Sequence, residues 1–307
     1  MTRELVVAGA QLGPIARDEP RASAVARMCA LMRDAHARGA RIVVFPELAL
    51  TTFFPRWWPE TQAEIERWFE TDMPNSDTEP LFVLARELGV GFHLGYAEIT
   101  RDGHRYNTAI LVGPSGHIVG KYRKIHLPGH SDHQPWRPFQ HLEKYYFEKG
   151  DLGFPVFDAF GGMIGMCICN DRRWPETWRV LGLNGAELVL LGYNTPLHYP
   201  PAPEHDHLQY FHNEISIQAG CYQNGMWAVA VAKAGLEENS ELIGGSAIVA
   251  PTGEIVAKCA TQGDEVITAT IDLDRCAEIR NNIFNFAEHR EPSDYSAITA
   301  PRAVPSG

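Results

Sequence analysis

MIGMCICNDRRWPETWRV, the stretch at residues 163–180, decides the fold class because it passes from one kind of secondary structure to another. Its apolar half, which ends at Cys169, predicts a buried β-strand. Asn170 and Asp171 are typical turn residues, and Pro175 suits the first turn of a helix. A strand that leads directly into a helix is the building unit of α/β proteins.

The same alternation of apolar runs and helical stretches extends in both directions along the chain. The other runs that predict strands are LVVAGAQ, RIVVF, VGFHLGYAEI, NTAILV, HIVGKYRK, ELVLLG, MWAVAVA, SAIVA and EVITATIDL. The predicted helices cover residues 21–38, 79–88, 175–184, 205–223 and 274–286. Pro-Ser-Gly at 114–116 and Pro-Thr-Gly at 251–253 separate neighbouring strand runs and predict two hairpins. Because hairpins pair strands in antiparallel fashion, we expect mixed sheets.

Length and composition place the chain among globular proteins that bury a sizeable core. It has 307 residues, of which 45% are hydrophobic and 21% are charged. We find no linker-like segment, so we expect one domain over residues 1–300, followed by a loose tail at 301–307. The net charge of -11 argues against a nucleic-acid partner, which usually requires a basic surface.

The apolar content also bears on the compartment. The N-terminal apolar run is short and contains Gln11, so it predicts a strand and not a secretory signal. No apolar segment approaches the ~20 residues that span a bilayer, and we expect no membrane partner. Six cysteines without a secretory signal favour reduced thiols in the cytoplasm.

Cys169 is the first candidate for chemistry. It lies where a strand ends, near the start of a helix and next to two arginines, and these conditions favour the thiolate. Alternation along the strand places Cys167 on the same face, so only its position at the turn distinguishes Cys169. The competing interpretation is a buried structural cysteine.

Two further stretches carry candidates. Glu47, in Phe-Pro-Glu, follows an apolar strand, and open α/β sheets place their sites at such strand ends. Lys124 belongs to GKYRKIHLP at 120–128, where three cations fall within four positions. Each stretch is also compatible with a solvated surface. The long aperiodic segment at 127–154 predicts a functional loop.

Taken in order, FPE, GKYRKIHLPG and CICNDRRWPE resemble the nitrilase superfamily of carbon-nitrogen hydrolases, and the resemblance covers residues 5–290. Within the superfamily, the pattern is similar to members that hydrolyse N-carbamoyl-D-amino acids to the D-amino acid, ammonia and carbon dioxide. The runs that carry this similarity include FPELALTTFFPRW, GKYRKIHLPGH, CNDRRWPETWRV, QAGCYQNG and FNFAEHREP. The resemblance implies an αββα sandwich with mixed sheets inside and helices outside. It also implies a homotetramer, built as a dimer of dimers, that acts on a small molecule without a metal or another cofactor.

The resemblance also implies roles for individual residues. Cys169 is expected to be the nucleophile, Glu47 the general base and acid, and Lys124 the cation that stabilises the tetrahedral intermediate. Glu143 is expected to be an additional active-site carboxylate. The candidate substrate-binding residues are Arg172, Arg173, His126, His141, Asn170, Asn194, Thr195 and His212. The two arginines carry the substrate hypothesis, since a guanidinium binds a free carboxylate in bidentate fashion.

Three other functions compete with this one. A plain amidase or nitrilase on the same scaffold would act on an amide or nitrile that has no carboxylate. A metal-dependent amidohydrolase is suggested by His205-Asp206-His207, although this motif opens a predicted helix late in the chain. A non-catalytic member would be expected to lack the cysteine, and Cys169 is present.

Overall fold

A computed structural model describes residues 2–137 and 139–300 of the chain. Its strands and helices follow the pattern predicted from the sequence. The strands are β1 (Glu4–Gln11), β2 (Ile42–Val44), β3 (Gly91–Ile99), β4 (Arg105–Val112), β5 (Ile118–Arg123), β6 (Val156–Ala159), β7 (Gly162–Ile168), β8 (Leu188–Tyr193), β9 (Trp227–Ala232), β10 (Ala234–Glu237), β11 (Ser240–Ile243), β12 (Ala247–Val249), β13 (Ile255–Lys258) and β14 (Glu265–Asp272). The α-helices are α1 (Arg21–Ala37), α2 (Gln62–Glu66), α3 (Glu79–Leu88), α4 (Glu143–Tyr146), α5 (Pro175–Leu183), α6 (Gln209–Asn224), α7 (Arg275–Asn282), α8 (Phe286–His289) and α9 (Ser296–Thr299). The tail predicted at 301–307 lies outside the described residues.

Two six-stranded sheets form the centre of the fold. Their strand orders are β14-β1-β2-β3-β4-β5 and β13-β12-β9-β8-β7-β6. In each sheet three consecutive strands are parallel, β1-β2-β3 in one and β7-β8-β9 in the other, and the outer strands are antiparallel. Both predicted hairpins are present, as β4-β5 and β12-β13. Mixed sheets are therefore confirmed.

The helices cover the outer faces of the two sheets. Buried residues of α1 and α3 pack on the β14-to-β5 sheet, while α5 and α6 pack on the other sheet. Between the sheets, Val7, Val44 and Leu111 share one apolar core with Leu190 and Val229. The layer order is helix, sheet, sheet, helix, which confirms the predicted αββα sandwich.

Some elements differ from the predictions. The helix predicted at 205–223 begins as a 3-10 helix over Pro203–Leu208 before α6 starts, and the helix predicted to reach 286 ends at Asn282. The aperiodic segment 127–154 contains the one-turn helix α4. The short hairpin β10-β11 was not predicted, because its strands have only four residues each and carry little apolar alternation. Among the described helices, none has the length and apolar character needed to cross a membrane.

A buried ion cluster holds the loop at 48–57 against the rest of the fold. The Glu237 carboxylate accepts from Lys233 Nζ at 2.8 Å and from Arg56 Nη2 at 2.9 Å. It also accepts from the backbone N–H of Phe53 at 2.7 Å and of Ile15 at 3.0 Å. The three side chains are 4% exposed or less, so their charges are stabilised by one another and not by water.

We predict that Glu237→Gln strongly destabilises the protein, because it leaves two buried cations without their counter-charge. Breaking a buried ion pair typically costs about 3–5 kcal/mol. Urea unfolding followed by circular dichroism measures the change. The control is Asp34→Asn, which breaks the exposed Arg38–Asp34 pair on α1 and is expected to cost less than about 0.5 kcal/mol. Equal losses in the two variants would contradict the role of the cluster.

Candidate active site

Glu47 is held where the two sheets meet. It follows β2 through Phe45 and Pro46, and its backbone passes between Gly95 of β3 and Gly192 of β8. A Cβ atom on Gly192 would lie 2.5 Å from the backbone nitrogen of Glu47, and one on Gly95 would lie 2.7 Å from its Cα. Any larger residue at these two positions would therefore displace the carboxylate.

Lys124 joins two buried carboxylates. Its Nζ donates to Glu47 Oε1 at 2.8 Å and to Glu143 Oε2 at 2.5 Å, and all three residues are fully buried. Burial alone would lower the pKa of Lys124, but Cys169 and the two carboxylates raise it well above its usual value. Lys124 is therefore a permanent cation between the two acids.

The two carboxylates differ in their surroundings. Burial, together with the charge of Glu143, raises the pKa of Glu47 despite the nearby ammonium. The pKa of Glu143 is lowered, since Lys124 and His141 outweigh its burial. His141 Nε2 lies 3.2 Å from Glu143 Oε1. Glu143 is accordingly the more stable anion, and Glu47 is the better group to gain and lose a proton.

Cys169 sits in a strained turn directly after β7. Its φ of 47° lies in the left-handed region, which non-glycine residues rarely adopt, and a 3-10 helix continues over Cys169–Arg173. Because β7 ends at Ile168, the alternation of side chains along the strand does not extend to Cys169. The prediction that Cys167 and Cys169 share one face rested on that alternation and therefore does not apply. A carboxylate oxygen of Glu47, a carboxylate oxygen of Glu143 and the sulfur of Cys169 lie within 4.8 Å of one another.

The thiol is not the preformed thiolate that the sequence predicted. Burial, and next the charge of Glu47, raise the pKa of Cys169 to about 11, although Lys124 and Arg172 oppose this shift. Cys169 is only 5% exposed. The thiol therefore keeps its proton at neutral pH and requires a base.

The two arginines differ completely. Arg172 is 1% exposed, and its guanidinium donates to Asn213 Oδ1, Thr195 Oγ1 and the carbonyl oxygen of Cys169 at 2.7–2.9 Å. These three bonds support the turn at Cys169 and use three of the five guanidinium N–H groups, and Arg172 does not line the cavity around the thiol. Its substrate-binding role stays a prediction. Arg173 makes no hydrogen bond or ion pair within the described ranges. Arg173 is an exposed residue. Desolvation by its neighbours and then the charge of Arg172 lower the pKa of its guanidinium to about 10, so it is still cationic at neutral pH.

A cavity of about 130 Å³ opens onto the thiol. Of the candidates named from the sequence, it is lined by His141, Cys169, Asn170, Arg173, Asn194 and Thr195. It is also lined by Pro128, Gly129, Pro196, Tyr199 and Gln209, which the sequence did not single out. A larger cavity of about 560 Å³, between α5 and the C-terminal helices, contains none of the candidate residues.

Two predicted substrate-binding histidines do not line this cavity. His126 Nδ1 lies 2.8 Å from Asp171 Oδ1, and its ring stacks on Trp174 at 5.0 Å. His212, on α6, packs edge-on against the ring of His205 at 6.4 Å. The resemblance implies that both lie near the pocket, and their role in substrate binding stays a prediction.

One polar contact of the site was not predicted. Asn107, on β4, donates from Nδ2 to Glu47 Oε1 at 2.8 Å. Asn194 completes the environment of Glu47, since its backbone N–H donates to Glu47 Oε2 at 3.0 Å and its Nδ2 donates to the Glu47 carbonyl at 2.8 Å. A single asparagine inside an apolar strand run was the available signal, because a buried amide needs partners.

Metal binding has one candidate set within the described part of the chain, and it is Glu47, Glu143 and Cys169. The ammonium of Lys124 already bonds both carboxylates, so positive charge is supplied there by the protein itself. The His205-Asp206-His207 motif lies apart, in the 3-10 helix before α6, where Asp206 pairs with His198 at 2.6 Å.

We predict that Cys169→Ala lowers turnover by at least about a thousandfold while the protein stays folded, since no other thiol adjoins the two acids. Cys169→Ser is expected to be similarly inactive. The matched control is Cys167→Ala, which removes a buried thiol two residues away and is expected to keep most of the activity. Ammonia release measures turnover and circular dichroism monitors folding. Loss of activity in Cys167→Ala alone would reassign the nucleophile.

The chain is similar to known carbon-nitrogen hydrolases in sequence and in fold. The family described as carbon-nitrogen hydrolase matches residues 6–281. A nitrilase from Pyrococcus abyssi is 34% identical over 264 residues, which cover 85% of this chain and 88% of that protein. An N-carbamoylputrescine amidase from Solanum lycopersicum is 32% identical over 281 residues and 87% of each chain. The structure of a carbon-nitrogen hydrolase from Helicobacter pylori G27 has a TM-score of 0.84, with 24% identity over 98% of this chain and 100% of that one.

Proposed function

The chain belongs to the carbon-nitrogen hydrolase family, and we propose that within it this enzyme hydrolyses small N-carbamoyl amino acids with Cys169 as its nucleophile. The observation that carries the proposal is the uncommitted guanidinium of Arg173, which lines the same cavity as the thiol of Cys169. A carbamoyl carbon at the sulfur and a carboxylate at the arginine are the two ends of such a substrate.

The buried acids supply the chemistry. Glu47 accepts the proton of Cys169, and the sulfur attacks the carbamoyl carbon to form a C–S bond. Lys124 and the backbone N–H of Asn170 stabilise the oxyanion that develops. As the intermediate collapses, Glu47 returns the proton to the leaving nitrogen and the C–N bond breaks.

Water completes the reaction on the same base. Glu47 takes a proton from water, which attacks the carbamoyl thioester and restores the thiol. The carbamic acid that is released decomposes to an amine and carbon dioxide. The net reaction consumes one water and yields amino acid, ammonia and carbon dioxide, whichever of the two C–N bonds breaks first. Glu143 remains an anion throughout and keeps Lys124 in place.

The charge of the cavity supports a carboxylate over an amine. Among the described residues that line it, Arg173 is the one permanent charge, and none is an aspartate or a glutamate. An ammonium group on the substrate would face this cation without a counter-charge, whereas a carboxylate forms a bidentate pair with it. Of Arg172 and Arg173, only Arg173 lines this cavity, and its guanidinium makes no hydrogen bond within the described ranges.

A second candidate function is a hydrolase of carboxylate-free amides, nitriles or carbamoyl amines. The names of relatives favour it, because they include a nitrilase and an N-carbamoylputrescine amidase. In that case Arg173 would have another role. Preference for the D enantiomer, which the sequence resemblance implies, stays part of the proposal.

We predict that Arg173→Leu lowers kcat/KM for N-carbamoyl amino acids by about tenfold to a hundredfold, since a charge-assisted contact contributes about 1.5–3 kcal/mol. Arg173→Lys restores only part of the loss, because an ammonium cannot form the bidentate pair. Ammonia release from D and L substrates, and from ureas that lack the carboxylate, provides the measurement.

The control variant is Arg33→Leu, which removes an exposed arginine from the outer helix α1. It is expected to leave kcat/KM unchanged for all substrates. Equal losses in Arg173→Leu on substrates with and without a carboxylate would refute the carboxylate contact and favour the second function. A preference for L substrates would overturn the expected stereochemistry alone.

A further inference from the structure

Gln209 lines the cavity beside the thiol, and its side chain carries a buried polar atom without a partner in the described part of the chain. The residue is 5% exposed and lines the same cavity as Cys169 and Arg173. Its Oε1 is buried and finds no hydrogen-bond partner among residues 2–137 and 139–300. A buried carbonyl oxygen without a donor is unfavourable, so this atom is suited to accept a hydrogen bond from a bound molecule.

The direction of this side chain is fixed by its helix. Gln209 begins α6, and Asn213 follows one turn later on the same face. Asn213 Oδ1 accepts from Arg172 Nε at 2.9 Å, which anchors that face to the turn at Cys169–Arg173. The helix therefore holds Gln209 towards the site independently of any ligand.

We propose that Gln209 determines side-chain specificity by accepting a hydrogen bond from an O–H or N–H group on the substrate side chain. This inference rests on the proposed function, since it adds a third contact to those at Cys169 and Arg173. The substrates it favours are N-carbamoyl amino acids with a short side chain that ends in a hydrogen-bond donor.

Three contacts around one carbon also bear on stereochemistry. The carbamoyl nitrogen, the carboxylate and the side chain are all attached to the substrate α-carbon. When Cys169, Arg173 and Gln209 each bind one of these groups, only one enantiomer satisfies all three contacts. A substrate without a polar side chain lacks the third contact and is discriminated less strongly.

The test compares two substrates of nearly equal shape, N-carbamoyl homoserine and N-carbamoyl norvaline, which differ by a terminal hydroxyl in place of a methyl group. The wild type is expected to favour homoserine in kcat/KM by about three- to tenfold, the range for one neutral hydrogen bond. Gln209→Leu is expected to abolish or reverse this ratio. The matched control, Gln218→Leu, removes a glutamine of the same helix that bonds the Gly253 carbonyl, and it is expected to keep the ratio.

A second variant tests the contact by charge. Gln209→Glu keeps the shape of the side chain and adds a negative charge, so Nα-carbamoyl 2,4-diaminobutyrate, whose side chain ends in an ammonium, is expected to gain about tenfold or more relative to homoserine. An unchanged homoserine-to-norvaline ratio in Gln209→Leu, or no relative gain for the ammonium substrate in Gln209→Glu, would overturn the proposal.

A failure of the proposed function can be distinguished from a failure of the Gln209 contact. If carboxylate-free compounds are the better substrates, the same comparison is made with 3-hydroxypropylurea and butylurea, which lack only the carboxylate. Their ratio in the wild type and in Gln209→Leu reports the Gln209 contact without any contribution from Arg173. Loss of the ratio in Gln209→Leu then supports the contact, and an unchanged ratio refutes it.

Discussion

The site depends on the network of hydrogen-bonded ion pairs that Lys124 forms with two fully buried carboxylates. A carboxylate placed in such surroundings without a cation would gain a proton or expel the loop that carries it. The three partners come from separate parts of the chain, Glu47 after β2, Lys124 after β5 and Glu143 at α4. The network therefore forms only when these segments are assembled around one point, and it fixes them there.

The same network determines how the cysteine is used. Burial, and next the charge of Glu47, hold the thiol in its protonated form. In the proposed mechanism the substrate is therefore attacked as Glu47 accepts the thiol proton. A second buried cluster, Glu237 with Lys233 and Arg56, anchors the loop that follows Glu47. Burial lowers the pKa of Lys233 overall, although the charge of Glu237 and, to a smaller extent, that of Glu47 raise it. The two clusters are thus linked through charge as well as through the loop.

Local signals predicted the strands, the helices and the mixed sheets, whereas the αββα layers and the roles of Glu47, Lys124 and Cys169 were implied by the family resemblance. Apolar runs and turn residues define strands and their ends, and the resemblance placed Glu47, Lys124 and Cys169 at three of those ends. The resemblance did not distinguish Arg172 from Arg173. The two residues are adjacent in sequence, but only Arg172 contacts partners on β8 and α6 in the described part of the chain. Nor did the sequence reveal that the thiol would be protonated, because the helix start and the arginines are local whereas burial and Glu47 are tertiary. For the same reason Gln209 was not singled out, since its position at the cavity brings it close to residues that lie far away along the chain.

The central claim is that Cys169 is a protonated thiol activated by Glu47 and not a preformed thiolate. The rate at which the neutral reagent iodoacetamide alkylates Cys169, measured by peptide mass spectrometry across pH, tests it most directly, because the reagent reacts with the thiolate. With a pKa of about 11, the rate is expected to rise about tenfold per pH unit through the neutral range and to show no plateau below about pH 10. A plateau near neutral pH would show a resident thiolate and contradict the account.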